Sequence, residues 1–199
     1  MSTQVIEWGV ASSPMPGQSQ SGDRYVVHPC PNGIMVAAID GLGHGQEAAR
    51  AADLAATILT KHAQESMIGI VNRCHTQLRK TRGVVMSLAV INALEGDLTW
   101  MGVGNVEGVV VRAALSANPR QESLLLRSGV LGHQIPLLCA SIIPIMRGDT
   151  LILVTDGVRS NFSDGVNVSD RPQLIADRIL AEYSKGSDDA LVLVARYLN

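Results

Sequence analysis

Aromatic residues are scarce in this 199-residue chain: two Trp, three Tyr and one Phe make up 3% of it. A surface that stacks single-stranded bases needs more rings than that. Charge is sparse too, at 17% of residues, and nearly balanced, with 16 Lys and Arg against 18 Asp and Glu for a net of −2. The basic excess of a general nucleic-acid binder is missing. Cysteine is limited to Cys30, Cys74 and Cys139, set far apart with no Cys-x-x-Cys pair. Neither a zinc site nor a disulfide framework is indicated. The longest stretch free of Asp, Glu, Lys and Arg, Ser128–Met146, holds His133, Gln134, Pro136 and Pro144, which argues against a membrane span. Met1–Val10 contains Glu7 and lacks a basic segment followed by an apolar one, so it does not read as a signal peptide. The expectation is a cytoplasmic protein with no membrane and no nucleic-acid partner.

What the chain does have is apolar content, 46% of residues, enough for a substantial core and too much for disorder. No repeat or long linker divides it, so residues 1–199 read as a single domain. The Ser/Pro/Gly/Gln tract Ser12–Gly22 reads as a surface loop. After Gly45, the residues Ala48, Ala51, Ala52, Ala55, Ile58, Leu59 and His62 recur at helical spacing on one face. Further helices are expected over Ile68–Lys80 and Arg171–Tyr183, the latter with Pro172 in its first turn. Strand-like runs cover Gln4–Val10, Arg24–His28, Gly33–Ile39, Val84–Ala93, Leu98–Val103, Gly108–Ala114, Ser123–Arg127, Thr150–Thr155 and Ala190–Tyr197, with a hairpin turn at Glu95-Gly96-Asp97. Helices grouped rather than alternating with single strands favour an α+β layered fold: two packed, mainly antiparallel sheets with helices outside.

The chemistry-bearing residues sit at strand ends. Two apolar runs close on Asp-Gly, at Asp40-Gly41 and Asp156-Gly157, and two others open on acids, at Asp23 and at Asp188-Asp189. In antiparallel neighbours the end of one strand lies beside the start of the next, so the four acidic positions can converge on one edge. Carboxylates that close repel one another and raise each other's pKa values, a penalty that divalent cations remove. All-oxygen ligands suit hard ions such as Mg²⁺ or Mn²⁺, and the glycines permit tight turns that leave backbone carbonyls accessible. The alternative is ordinary turn chemistry, since Asp-Gly after a strand is a common turn.

The stretch Asp40-Gly41-Leu42-Gly43-His44-Gly45, with Ser21-Gly22-Asp23, Gly148–Gly157 and Ser187-Asp188-Asp189, resembles the metal-dependent Ser/Thr protein phosphatase (PPM) family, in its short bacterial branch of SpoIIE-, RsbU- and RsbX-like enzymes. The motifs keep the family's order over nearly the whole chain. The resemblance implies an αββα sandwich with two Mn²⁺ or Mg²⁺ ions at one edge of the sheets. It implies that Asp40 bridges both ions, that the Gly41 carbonyl binds the second, and that Asp156 and Asp188 bind the first. Asp23 is implied as an outer-shell residue or direct ligand, with Asp189 in reserve. Phosphoserine or phosphothreonine would then be hydrolysed directly by a metal-activated water. The implied partners are phosphorylated STAS-domain proteins of a stress-signalling complex.

The sequence departs from the family pattern in two places. Leu42 stands where longer members carry a His, leaving His44 either as a general acid or as a helix-capping or solvated residue. Leu191 replaces a frequent Thr and is expected to affect packing only. Asp149 is expected to serve a turn, His62 and His75 to be structural or solvated, and Arg73, Arg79, Lys80 and Arg82 to complement a helix C-terminus or to form a docking patch. Gly102, Gly104 and Gly108 lack the strand–helix context of a dinucleotide fingerprint. Ser128-Gly129 and Gly132 are placed near substrate by resemblance alone. Two other functions stay open: a phosphatase-like module that binds phosphoproteins without hydrolysing them, and a hydrolase of a small phosphate ester.

Overall fold

The computed structural model describes residues 4–31 and 33–199, so Met1–Thr3, the first part of the signal-peptide reading, lies outside the described residues. Strand β3 (Gly33–Gly41) shows how the layers arise. Successive side chains of a strand face opposite ways. Met35, Ala37 and Ile39 pack under helices, while Val36 and Ala38 pack against a second sheet. The same division holds on β11 (Ala190–Tyr197): Leu191, Leu193 and Ala195 face the other sheet, and Ala190, Val192 and Val194 face a helix. Strands apolar on both faces must be covered on both faces, and three apolar layers result.

One sheet runs in the order β1 (Ile6–Ser13), β11, β10 (Thr150–Val154), β6 (Glu107–Val111), β7 (Gln121–Ser123). The other runs β2 (Asp23–Cys30), β3, β4 (Val84–Asn92), β5 (Asp97–Val103), β8 (Leu126–Arg127), with β9 (Ser141–Pro144) also beside β5. Among the described residues, every strand pairing is antiparallel except β5 with β8. Helices α1 (Gln46–Lys61) and α2 (Met67–Gln77) cover the outer face of the β2–β8 sheet, and α3 (Pro172–Tyr183) covers the other. This is the expected αββα sandwich. The alanine stripe of α1, Ala48, Ala51, Ala52 and Ala55, is fully buried, and its short side chains let the helix lie close against β2 and β3. Among the described residues, no helix is long and apolar enough to cross a membrane.

Several boundaries differ from expectation for identifiable reasons. β1 continues to Ser13 because Ser12 and Ser13 pair with Leu191 and Ala190, so the exposed loop begins only at Pro14. The run read as one strand over Ser123–Arg127 is split. Its ends join different sheets, as β7 and β8, and buried Leu124 crosses the inter-sheet core between them. The run read as Gly108–Ala114 stops at Val111, where the backbone N–H of Arg112 donates to Arg120 instead of to a ladder. β9 is not expected from the sequence, being four residues within an uncharged, proline-bearing stretch. Asp97 belongs to β5, and the turn lies over residues 93–96, where the side chain of Asn92 accepts from the N–H groups of Leu94 and Glu95. Beyond Gln77 the second helix tightens into a 3₁₀ turn, Leu78–Lys80. His62 lies just past α1 and pairs with Glu65 at 3.1 Å.

Candidate active site

Asp40 is the penultimate residue of β3, and the register sets it directly opposite Asp23, the first residue of β2. It follows Val36 and Ala38 on the face turned toward the other sheet. From that other sheet, Asp156 comes two residues after β10 and Asp188 two residues before β11, which are antiparallel neighbours. One edge of the sandwich therefore gathers acids from both sheets. Asp40, Asp156 and Asp188 line a cleft of about 560 Å³, together with His44, Asn105 and Ser128. Asp23 and Asp189 lie behind it, 5% and 4% exposed.

The electrostatics of this edge are unfavourable as they stand. Asp40 is pushed up to about 8, first by burial and then by the charges of Asp23, Asp156, Asp188 and Asp189. Asp23 is pushed up to about 7 by burial, opposed by a hydrogen bond from Thr155 and reinforced by the other acids. That bond, Thr155 Oγ1 to Asp23 Oδ2, is 2.7 Å, and the same hydroxyl accepts the Leu191 N–H at 2.8 Å. Leu191 thus fills the inter-sheet core with its side chain and anchors Thr155 with its backbone.

The two members of the final acidic pair have different surroundings. Asp189 accepts the Met15 N–H on Oδ1 and the Gly22 N–H on Oδ2, each at 2.7 Å. It ties down the loop after β1, which places Met15 at the cleft. Asp188 is exposed at the cleft wall, where Oδ1 accepts the Asp189 N–H at 2.8 Å. Asn105, unread from the sequence, donates from Nδ2 to Asp156 Oδ2 at 2.8 Å, and Lys185 Nζ donates to the Asp156 carbonyl. The only hints in the sequence were an Asn just after the end of β5 and a Thr just before Asp156-Gly157.

The glycines after the two aspartates serve a purpose other than the expected one. Neither Gly41 nor Gly157 has a positive φ. A Cβ on Gly41 would lie 2.2 Å from the Ala48 carbonyl oxygen, and one on Gly157 would lie 2.0 Å from that of Asp189. They are required for close backbone approach: α1 against Asp40, and the Asp188-Asp189 loop against Asp156.

The other candidates separate cleanly. His44 is exposed at the cleft, and the N-cap of α1 is Gly45 with no side-chain cap, so His44 does not cap it. Leu42 is half-buried against the inter-sheet core. Asp149 sits before the opposite end of β10, buried, accepting from Arg112 Nη1 at 2.7 Å, Ala113 N–H at 2.9 Å and Met146 N–H at 3.1 Å; it braces a turn. Ser128 and Gly129 reach the cleft, whereas the Gly132 N–H donates to His75 Nδ1 at 3.1 Å. None of the three cysteines lines the cleft.

Among the described residues, no three His, Cys, Asp or Glu side chains close into a cage around an ion. Magnesium needs no such cage, because it is held by one or two carboxylates and keeps several waters. Hard oxygen donors at an open cleft, with carboxylates that repel one another until a cation arrives, fit Mg²⁺ or Mn²⁺ in donor chemistry.

Comparison with known proteins agrees with this layout. The family model of stage II sporulation protein E (SpoIIE) matches residues 31–198. The phosphoserine phosphatase RsbX of Bacillus subtilis (strain 168) is 26% identical over 161 residues, covering 77% of this chain and 78% of RsbX. A chain from a bacterial stressosome structure, a system adapted to control secondary messenger signalling, superposes with a TM-score of 0.86 at 27% identity over 97% of this chain and 100% of that one. RsbX in complex with magnesium superposes at 0.84 with 22% identity, over 99% of this chain and 98% of its own. With its αββα sandwich and the family match extending from β3 through β11, the chain belongs to the SpoIIE family of PPM-type phosphatases.

Proposed function

We propose that this protein is a metal-dependent phosphatase that removes phosphate from serine or threonine of a signalling protein, with residues 1–199 acting as one catalytic unit. The observation that carries this reading is the cleft where Asp40, Asp156 and Asp188 meet from both sheets, with Asp40 held far above the usual carboxylate range. When bound, two divalent cations supply a water that is nucleophilic near neutral pH and neutralise charge on the phosphoryl oxygens. Asp40, Asp156, Asp188 and the Gly41 carbonyl would hold these ions. Asn105 fixes the rotation of the Asp156 carboxylate. Asp23, anchored by Thr155, orients waters from behind Asp40. Asp189, with both oxygens already bonded to backbone N–H groups, is assigned a positioning role. His44, exposed at the rim, is assigned protonation of the departing serine or threonine oxygen.

The similarity to RsbX and to a stressosome chain supports phosphorylated STAS-domain proteins of a cytoplasmic stress-signalling complex as substrates. p-Nitrophenyl phosphate hydrolysis with Mn²⁺ or Mg²⁺, with EDTA, and by Asp40→Asn tests the chemistry. Activity is expected only in the metal-loaded native enzyme, and turnover that survives EDTA contradicts the reading. His44→Ala is expected to lower turnover and alter the pH profile; an unchanged profile removes its role. Comparing a phosphoserine protein with small phosphorylated metabolites separates a protein phosphatase from a small-ester hydrolase.

A further inference from the structure

The basic cluster read from the sequence comes apart in the fold. Arg73 turns to Glu65, Nη2 to Oε1 at 2.6 Å. Lys80 and Arg82, beyond the end of α2, meet Arg50 from α1 instead, and with Glu47 and Thr81 they line a separate concavity of about 320 Å³. Three cations face one acid there, in a chain whose net charge is −2. Glu47 holds Arg82, whose Nε donates to Oε2 at 2.6 Å. Among the described residues, neither Arg50 nor Lys80 has an ion-pair partner, and both are exposed. Favourable charge at a helix C-terminus accounts for Arg79, outside the pocket, and for Lys80 within it. Arg50 lies in the second turn of α1, far from its C-terminus, and Arg82 lies outside any helix, so a helix dipole accounts for neither.

This basic pocket adjoins the acidic cleft. Gly43 lines the cleft, and a Cβ placed there would be 2.6 Å from Arg82 Nη1. The Leu42 N–H donates to the Gly83 carbonyl at 3.1 Å, and His133 Nε2 lies 2.9 Å from the Arg82 carbonyl. The Arg82-Gly83 segment is therefore a shared rim. A protein whose phosphorylated residue entered the cleft would have neighbouring residues within reach of that rim. The pocket already shows which chemistry it accepts, since the Arg82 guanidinium engages a carboxylate.

Resting on the phosphatase reading of the cleft, we infer that Arg50, Lys80 and Arg82 form a docking site for carboxylate side chains flanking the phosphorylated residue of the protein substrate. Pairs this exposed are individually weak and screened by salt, so the site acts through association and substrate preference.

The test uses two phosphoserine peptides that differ only in flanks, Asp/Glu in one and Asn/Gln in the other. Hydrolysis is measured with the metal-loaded enzyme and binding by fluorescence anisotropy. The native enzyme is expected to favour the acidic peptide by ~3- to 10-fold, mainly through KM. The preference should shrink between about 0.05 M and about 0.5 M salt. Arg50→Glu with Lys80→Glu should abolish it, and the milder Arg50→Gln with Lys80→Gln should reduce it; circular dichroism checks that both variants fold. Equal handling of the two peptides by the native enzyme, or a preference that persists in the charge-reversed variant, overturns the docking site. If neither peptide is hydrolysed under any metal condition, the phosphatase reading falls. The anisotropy preference then still decides whether the pocket binds carboxylates.

Discussion

Asp188 and Asp189 are adjacent in sequence and opposite in situation. Asp189 is buried and holds two backbone N–H groups; Asp188 is exposed at the cleft. Asp189→Ala in the metal-loaded protein leaves the Met15 and Gly22 amides without partners, at about 1–3 kcal/mol for each that stays dry. Its melting temperature should fall by about 2–4 °C for each kcal/mol lost. Asp188→Ala, measured in EDTA, should change stability less, because losing the acceptor of the Asp189 N–H is offset by relief of the repulsion on Asp40 and Asp23, while phosphatase turnover with metal should collapse. Thermal denaturation and p-nitrophenyl phosphate assays on both variants read the two effects separately. A stable, inactive Asp189→Ala enzyme beside an active Asp188→Ala enzyme would exchange the roles assigned to them.

At the scale of elements, the cleft depends on how closely loops and helices pass one another. Gly157 lets the strand exit carrying Asp156 press against the backbone of Asp189. Gly157→Ala places a methyl group in backbone atoms that have no room to yield, and overpacking of this kind costs ~1–3 kcal/mol or more. The loops carrying Asp156 and Asp188 must then separate, so a lower melting temperature and a lower kcat are expected together. A Gly157→Ala protein with native turnover would show that the two loops do not act as a unit.

For the whole molecule, the site opposes stability until cations fill it. With Asp40 near 8 and Asp23 near 7 against an ordinary 3.8, the folded metal-free protein holds protons that the unfolded chain has lost between those values. Stability therefore falls as pH rises through that window. The EDTA-treated protein should melt higher at about pH 5.5 than at about pH 8.5, and Mg²⁺ should raise the melting temperature more at the higher pH. Scanning calorimetry at both pH values with and without metal checks this; a metal-free protein that gains stability with alkalinity would contradict it. Unfolding in EDTA should stay cooperative, because the three apolar layers do not depend on metal.

The sequence by itself determined the layered fold and the place of the acids. Continuous apolar runs mark the strands buried on both faces, the alanine stripe fixes α1, and each Asp-Gly marks where a strand leaves the core. Those signals are local, so they survive without knowledge of the partners. Strand ends set by pairing, as at Ser12 and Ser13, and the division of 121–127 between two sheets were not legible, because both depend on residues more than a hundred positions away or in the opposite sheet. Nor could the sequence tell Asp188 from Asp189, find Asn105 and Thr155, or distribute the basic cluster between Glu65 and the pocket beside α1. Only the tertiary structure decided these, since hydrogen bonding and electrostatic coupling depend on distance in space, and the fold brings residues 15, 22, 40, 105, 156 and 189 together from across the chain.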